Sequence, residues 1–389
     1  MVRKKGFGNR RDAALVAVFL LLCIFLWYLP TGFENRLPQN SLRVRGKVLE
    51  VDNSDVKQFG IVRIGVQGLS LTLLDGPFAG RVVEATNTLT GKMELDKVFA
   101  PADIVLVVLT LRDGDILYAN AQDHYRLHTE AILLGCFALF LIGFGGWTGA
   151  KALLSFLFSA LMIWKVLVPF FLKGYDPIPV SLGVVMGLTG AIILLVAGVS
   201  RRGLTAFLGS VLGIGVTCAL ALIFSGGFHL HGAIKPFSET LLYSGFAHLD
   251  LTRIFLASIF MASSGAVMDI AMDIAASMDE VADKKPNLSF KDALGSGLQV
   301  GRAVVGTMTT TLLLAYSGGY VTLLMVFMAQ GVPLVNLFNL NYVAAEVLYT
   351  LVGSFGLVTV APFTAVAGAW IYTRRASGES SSGRSMSGR

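Results

Sequence analysis

Two carboxylates one helical turn apart, inside an apolar run, raise the first chemical question. Asp269 and Asp273 stand in Met268-Asp269-Ile270-Ala271-Met272-Asp273-Ile274, and Glu280 follows. On a helix these three acids share about 40° of arc, with Gly265 and Ala276 on the same stripe. An ionised Asp at the centre of a membrane helix costs about 2.5–3.5 kcal/mol, and two on one face repel each other. Such a pair requires a shared proton, a bound cation or a basic partner. Arg302, at similar depth on the next apolar segment, offers an ion pair, either as structural glue or as a switch. Thr307, Thr309, Thr310 and Thr311 follow it. Their hydroxyls can bond back to their own helix, line a hydrated path or contact a substrate. Lys165 lies inside another apolar run, where it snorkels outward or meets an acid. Glu346 begins the last apolar run after Asn341. The plainer reading ends the acid-bearing helix near residue 275. That accounts for Asp273 and Glu280 as surface anchors, but leaves Asp269 about 9 Å deeper.

Composition says what solvent surrounds these residues. The 389-residue chain is 54% hydrophobic and 14% charged, against about 25% charged in ordinary soluble domains. Several stretches reach the roughly 20 apolar residues that cross a bilayer as a helix. The net charge of +6 is scattered at segment ends, which fits positive-inside loops and excludes a nucleic-acid module. Cys23, Cys136 and Cys218 each lie in an apolar run and form neither a disulfide framework nor a zinc spacing. His229 and His231 lack the further ligands that a metal site needs. No hydrolase, zinc-protease or nucleotide-binding signature is present, and no enzyme is expected. No cofactor is expected beyond a cation at Asp269 and Asp273.

The elements that must position these side chains follow in order. Arg3, Lys4, Lys5, Arg10 and Arg11 precede an apolar run from 13 to 29, read as an uncleaved first crossing with a cytoplasmic start (residues 1–30). Residues 31–128 are polar and β-branched. Leu42-Arg43-Val44-Arg45-Gly46-Lys47-Val48 alternates with the period of a half-buried strand, and Asp113-Gly114-Asp115 marks a turn. A small extracytoplasmic all-β domain is expected there, on an OB-like barrel. Helices are expected over 130–147, 152–172, 178–199, 204–225, 252–276, 300–317 and 343–372, within a bundle spanning 129–375. Lys151, Arg201-Arg202 and Lys284-Lys285 fall on the inner side; the 174–179 and 229–250 loops fall on the outer side. The stretch 320–340, interrupted at Gln330-Gly331-Val332-Pro333, is read as re-entrant, which leaves eight crossings. Residues 376–389 are Ser/Gly-rich and expected to be disordered. Gly209 with Gly213, and Gly353 beside Gly356, are read as close helix packing.

Gly265-Ala266-Val267-Met268-Asp269 through Glu280, Gly301-Arg302, Gly306-Thr307-Met308-Thr309, Asn341 with Glu346, and Gly353 to Gly356 followed by Pro362 and Thr364-Ala365 resemble the YibE/F-like membrane proteins. The layout of one helix, an extracytoplasmic domain and a helical bundle is similar too. Many relatives are expected to carry Asn where Thr310 stands. The resemblance implies a multi-pass protein of the bacterial cytoplasmic (inner) membrane and says more about fold than mechanism. The leading functional expectation is a secondary transporter or permease, coupled to protons or a cation through the carboxylates. Its rival is a non-transporting scaffold or envelope assembly factor that holds a partner with the β domain. The expected partners are the lipid bilayer and either a second copy or an envelope protein, with no nucleic acid.

Overall fold

The computed structural model describes residues 10–34, 40–285 and 287–383, with side chains described to 373 from 12 onward. The basic residues Arg3, Lys4 and Lys5 and the tail 384–389 lie outside the described residues. The chain forms two compact units, Gly32–Phe140 and Met1–Thr31 with Leu141–Arg389.

The first unit holds six strands: β1 (Ser41–Asp52), β2 (Val56–Phe59), β3 (Val62–Leu73), β4 (Val82–Thr90), β5 (Ile104–Arg112) and β6 (Asp115–His124). They run in the order β1-β5-β6-β4-β3-β2, and β1 also pairs with β3, so five strands close on themselves and β2 is a hairpin arm on β3. All pairings are antiparallel except a short parallel contact between β4 and β6. The alternation in β1 sends Val44 and Val48 inward and Arg43 and Lys47 outward, as the two-residue period of a strand requires. At Gly46 a Cβ would lie 2.9 Å from Val107 Cγ2, so glycine permits the strands to approach where the barrel closes. Asp113 and Gly114, with φ of 53° and 84°, form the two-residue turn joining β5 to β6. Leu69, Leu71, Leu73, Val105, Val107 and Leu109 fill the interior. Gln67 is also buried there. Its amide nitrogen donates to Asn53 Oδ1 and to the Phe99 carbonyl, and its oxygen accepts from Asn87 Nδ2 and the Phe99 N–H. That network ties the long β4–β5 connection to the barrel floor, since each group would otherwise be buried without a partner.

The helices are α1 (Arg10–Tyr28), α2 (Leu127–Met162), α3 (Val168–Leu172), α4 (Pro177–Ala197), α5 (Arg201–Phe228), α6 (Ser238–Tyr243), α7 (Leu251–Lys284), α8 (Phe290–Ser317), α9 (Val321–Ala329), α10 (Leu334–Asn339) and α11 (Asn341–Gly383). Among the described residues, six helical segments are long and apolar enough to cross a membrane. Asp176, Ser200, Asp250 and Ser289 each accept a backbone N–H at a helix start, which fixes where α4, α5, α7 and α8 begin.

Three boundaries differ from the sequence expectation. The first break falls at Gly146 (φ 53°, ψ −129°) inside α2, so Lys151 lies in helix and not in a loop. A π turn over Ile163–Leu167 then carries α2 into α3. α7 and α8 run to Lys284 and from Phe290, about ten residues more helix on each side of their connection than expected. The charges there mark helix that extends past an apolar core, not loop. α11 continues to Gly383, taking in the first part of the tail whose composition implies disorder: a long helix propagates at little cost once formed.

The bundle core is built by α5, α7, α8 and α11. At Gly209 a Cβ would collide with Thr364, at Gly356 with Thr217, and at Gly297 it would meet Met278 and Ala365. The glycines thus mark close backbone approach, as their spacing implies. The same contacts give direction. Lys235 meets Glu346, Tyr316 meets Tyr349 edge to face, and Tyr349 Oη donates to the Ser258 carbonyl. The end of α8 and the starts of α7 and α11 therefore share one end of the bundle. Tyr372 Oη reaches the Ala275 carbonyl toward the other end. Residues 318–340 leave and return at the same end, and α9, with 9 residues, is only about 14 Å long. They form a helical hairpin.

Candidate functional site

α7 places Ala262, Gly265, Asp269 and Asp273 on one exposed stripe, while Val267, Ile270, Ala271 and Ile274 turn into the core. The 34 residues of α7 span about 51 Å, longer than the roughly 30 Å hydrocarbon core. Asp273 stands 11 residues before the last residue of α7, from Asp273 to Lys284, and Asp269 one turn further in. Glu280 leaves this group, because its carboxylate pairs with Lys284 at 2.6 Å. Asp279, beside it in sequence, is half-buried and interacts with Tyr372.

α8 supplies the neighbouring surface. Gly301 packs against Ala361 and Ile274, which sets Arg302 level with Asp273. The expected depth is therefore right, but the expected ion pair is not formed within the chain. Arg302 follows Gly301 by about 100° of helix, so it turns away from the α7–α11 contact onto the exposed side. Among the described residues, Asp269, Asp273 and Arg302 have no hydrogen bond or ion pair. Thr307, Thr309 and Thr311 donate to the carbonyls of Val304, Val305 and Thr307 on their own helix, the local alternative weighed from sequence. Thr310 has no such bond among the described residues and is exposed. Two acids on α7 and a base and a hydroxyl on α8 are thus exposed, and the open α7 stripe could present a cation with carboxylate oxygens from one helix turn.

The two other expected side chains lie apart from this face. Lys165, in the π turn, donates to the Leu29 carbonyl at 3.0 Å and so closes the C-terminal end of α1 instead of meeting an acid. Glu346 is held by Lys235 at 2.6 Å, and the Lys235 ammonium also lies 5.0 Å from the Tyr349 ring and 5.5 Å from the Phe255 ring. Nothing local in the sequence points to Lys235, since the two partners stand 111 positions apart. Beside this pair lies a cavity of about 700 Å³, lined by Leu313, Phe327, Met328, Val343, Glu346 and Thr350 among others. It lies between the hairpin and α11 and is predominantly apolar. At the same end Asp176 receives both guanidinium donors of Arg253, at 2.6 and 2.9 Å. That charged hydrogen bond holds the Asp176 carboxyl below the usual carboxylate range. His229 closes α5 in a left-handed conformation, and His231 lies 3.5 Å from Asn341.

A family model described as YibE/F-like protein matches residues 133–374, more than half of the chain. No curated protein and no solved structure matches it.

Proposed function

The chain belongs to the YibE/F-like family, and from that premise we propose a polytopic protein of the bacterial cytoplasmic membrane that works as a secondary transporter or permease. Coupling to protons or a cation would run through Asp269 and Asp273. The observation that carries this reading is the pair of unpartnered carboxylates on an exposed stripe of a helix longer than a bilayer is thick. An acid held there without a counter-charge is costly, and intramembrane acids of this kind serve ions, protons or substrates. Arg302 and Thr310 border the stripe and are the next candidates for substrate contact.

Eight crossings follow if α1 and the two halves of α2 are each counted, with α9 and α10 as a re-entrant hairpin. Arg201, Arg202, Lys284, Lys285 and Lys291 then sit together on the cytoplasmic side. The barrel, with its strand order and one parallel contact, fits the OB type and would stand on the extracytoplasmic side.

The test is flux. In proteoliposomes under an imposed proton or sodium gradient, wild-type protein should move a solute that Asp269→Asn does not. Gradient-driven flux that Asp269→Asn leaves unchanged would exclude the carboxylates from coupling.

A second reading, an envelope scaffold, is favoured by the exposed Phe59 and Ile61 at the β2–β3 turn, apolar side chains with nothing of the barrel beneath them. Crosslinks from these positions to one stoichiometric envelope protein, with no solute flux, would favour it over transport.

A further inference from the structure

We propose that two copies of this chain associate through the face formed by α7 and α8, with Arg302 of each copy answering Asp273, and Asp269 above it, on the other. The inference rests on α7 and α8 crossing the bilayer, and not on transport.

Three observations converge on it. The first is what the chain leaves uncovered. Only 11% of the apolar stretch of α8 is buried, against 56% for α7 and 50% for α11. α8 is nonetheless the helix that carries Arg302 and the threonines. A helix with a charged and hydroxyl-bearing outer side is poorly matched to lipid tails, which satisfy neither charge nor hydrogen bond. The second is space. Gly265 on the α7 stripe and Gly306 on α8 have nothing within 4 Å of where a Cβ would stand. Ala262 and Ala303 flank them, also exposed. Small residues on an outer face allow another helix to come close.

The third observation names the occupant. The exposed sides of the two packed helices carry both halves of an ion pair, acids on α7 and a base on α8, and these do not pair within one chain. A two-fold axis along the membrane normal sets α7 of one copy against α8 of the other and leaves every residue at its own depth. Arg302 meets Asp273 under that operation only if the two already share a depth. They do, because Gly301 lies beside Ile274. The patch is therefore self-complementary, as a two-fold interface must be. A different partner would have to bring an acid and a base in the opposite arrangement. A headgroup phosphate would answer the arginine but would repel the two acids, whereas a second copy answers both signs at once. With Asp273 answered across the seam, Asp269 keeps a free carboxylate beside it.

The experiment uses full-length chains carrying two different affinity tags, co-expressed and recovered in native-lipid discs. Wild-type copies should co-purify. Asp273→Arg alone and Arg302→Asp alone should each reduce co-purification at least tenfold, because every contact becomes like-charged. An Asp273→Arg copy mixed with an Arg302→Asp copy should recover association. One seam contact is then native and the other reversed, while neither variant pairs with itself. Recovery only when both substitutions are in one chain, or single variants that associate like wild type, would overturn the proposal. Should either charge variant fail to fold, a Gly265→Cys copy mixed with a Thr310→Cys copy is decisive, because the seam sets these two levels of α7 and α8 against each other. The two copies should crosslink in the membrane, while a Thr310→Cys copy mixed with an Ile223→Cys copy, exposed on α5, should not. No crosslink between 265 and 310, or equal crosslinking with 223, counts against the seam. An Asp269→Asn protein that loses flux but still co-purifies separates this proposal from the transport reading.

Discussion

The pair Lys235–Glu346 allows an asymmetric prediction. At 2.6 Å, two unit charges in an effective dielectric of 20 attract with about 6 kcal/mol. Most of that is offset by desolvation, since the side chains remain 37% and 24% exposed, and a net value between the exposed and buried extremes is about 1–3 kcal/mol. The two partners are not equally supported. Lys235 retains the Tyr349 and Phe255 rings at 5.0 and 5.5 Å, worth about 0.5–1 kcal/mol each. Glu346 has Lys235 alone among the described residues. Glu346→Gln also keeps an oxygen to accept the ammonium and should cost about 1 kcal/mol. Lys235→Met leaves a half-buried carboxylate without a counter-charge and should cost about 2–3 kcal/mol. At roughly 2–4 °C per kcal/mol, the melting temperature in detergent should fall by about 2–4 °C for Glu346→Gln and about 4–12 °C for Lys235→Met. The double variant should lose less than the two combined. A Glu346→Gln protein as unstable as Lys235→Met, or strictly additive losses, would refute this account of the Lys235–Glu346 end of the bundle.

Gly209→Val, which drives a side chain into Thr364 on α11, should destabilise by about 1–3 kcal/mol through overpacking. Gly183→Ala on α4, where a Cβ meets nothing within 4 Å, should be neutral or gain up to about 1 kcal/mol of helix propensity; paired melts in one detergent compare them. In the barrel, backbone N–H bonds from Thr90 and Gly91, partly opposed by desolvation, hold the Asp96 carboxyl below its usual range. A depressed folded-state pKa stabilises above the unfolded value of about 3.9 and is lost as pH falls through the folded one. Protection factors in the 90–97 segment, taken against the intrinsic exchange rate at each pH, should therefore fall below about pH 4 in the wild type. Asp96→Asn should exchange faster at neutral pH and show a flatter response to acid.

Sequence showed clearly what depends on local period and length. Apolar runs predicted the long helices, alternation in Leu42–Val48 predicted a strand facing a core, and Gln330–Pro333 predicted an interrupted segment. Glycine spacing predicted close packing at Gly209 and Gly213. What depends on a third dimension was not legible. Arg302 was correctly placed in depth but wrongly in azimuth, because depth follows from counting residues while the packed face of α8 is chosen by α11. The threonine hydroxyls showed their number, and only coordinates show that three of the four bond back to carbonyls of their own helix. Lys165 found a carbonyl 136 positions away, a partner with no residue-type signature at all. The polar residues at 284–292 suggested a loop because charge was equated with solvent. A helix longer than the bilayer is thick carries charge and solvent together.

The place of α11 also bears on how the protein is made. α5, α7 and α8 each pack against this one helix, which leaves the ribosome after all three. Until it arrives, Gly209 lacks Thr364, and Gly213, Gly297 and Gly301 keep only their α7 neighbours Val267, Met278 and Ile274. The earlier helices can insert one by one and pair with α7, but the core closes only when α11 joins them. Chains stopped before Asn341 would present a membrane quality-control protease with a set of inserted yet incompletely packed helices.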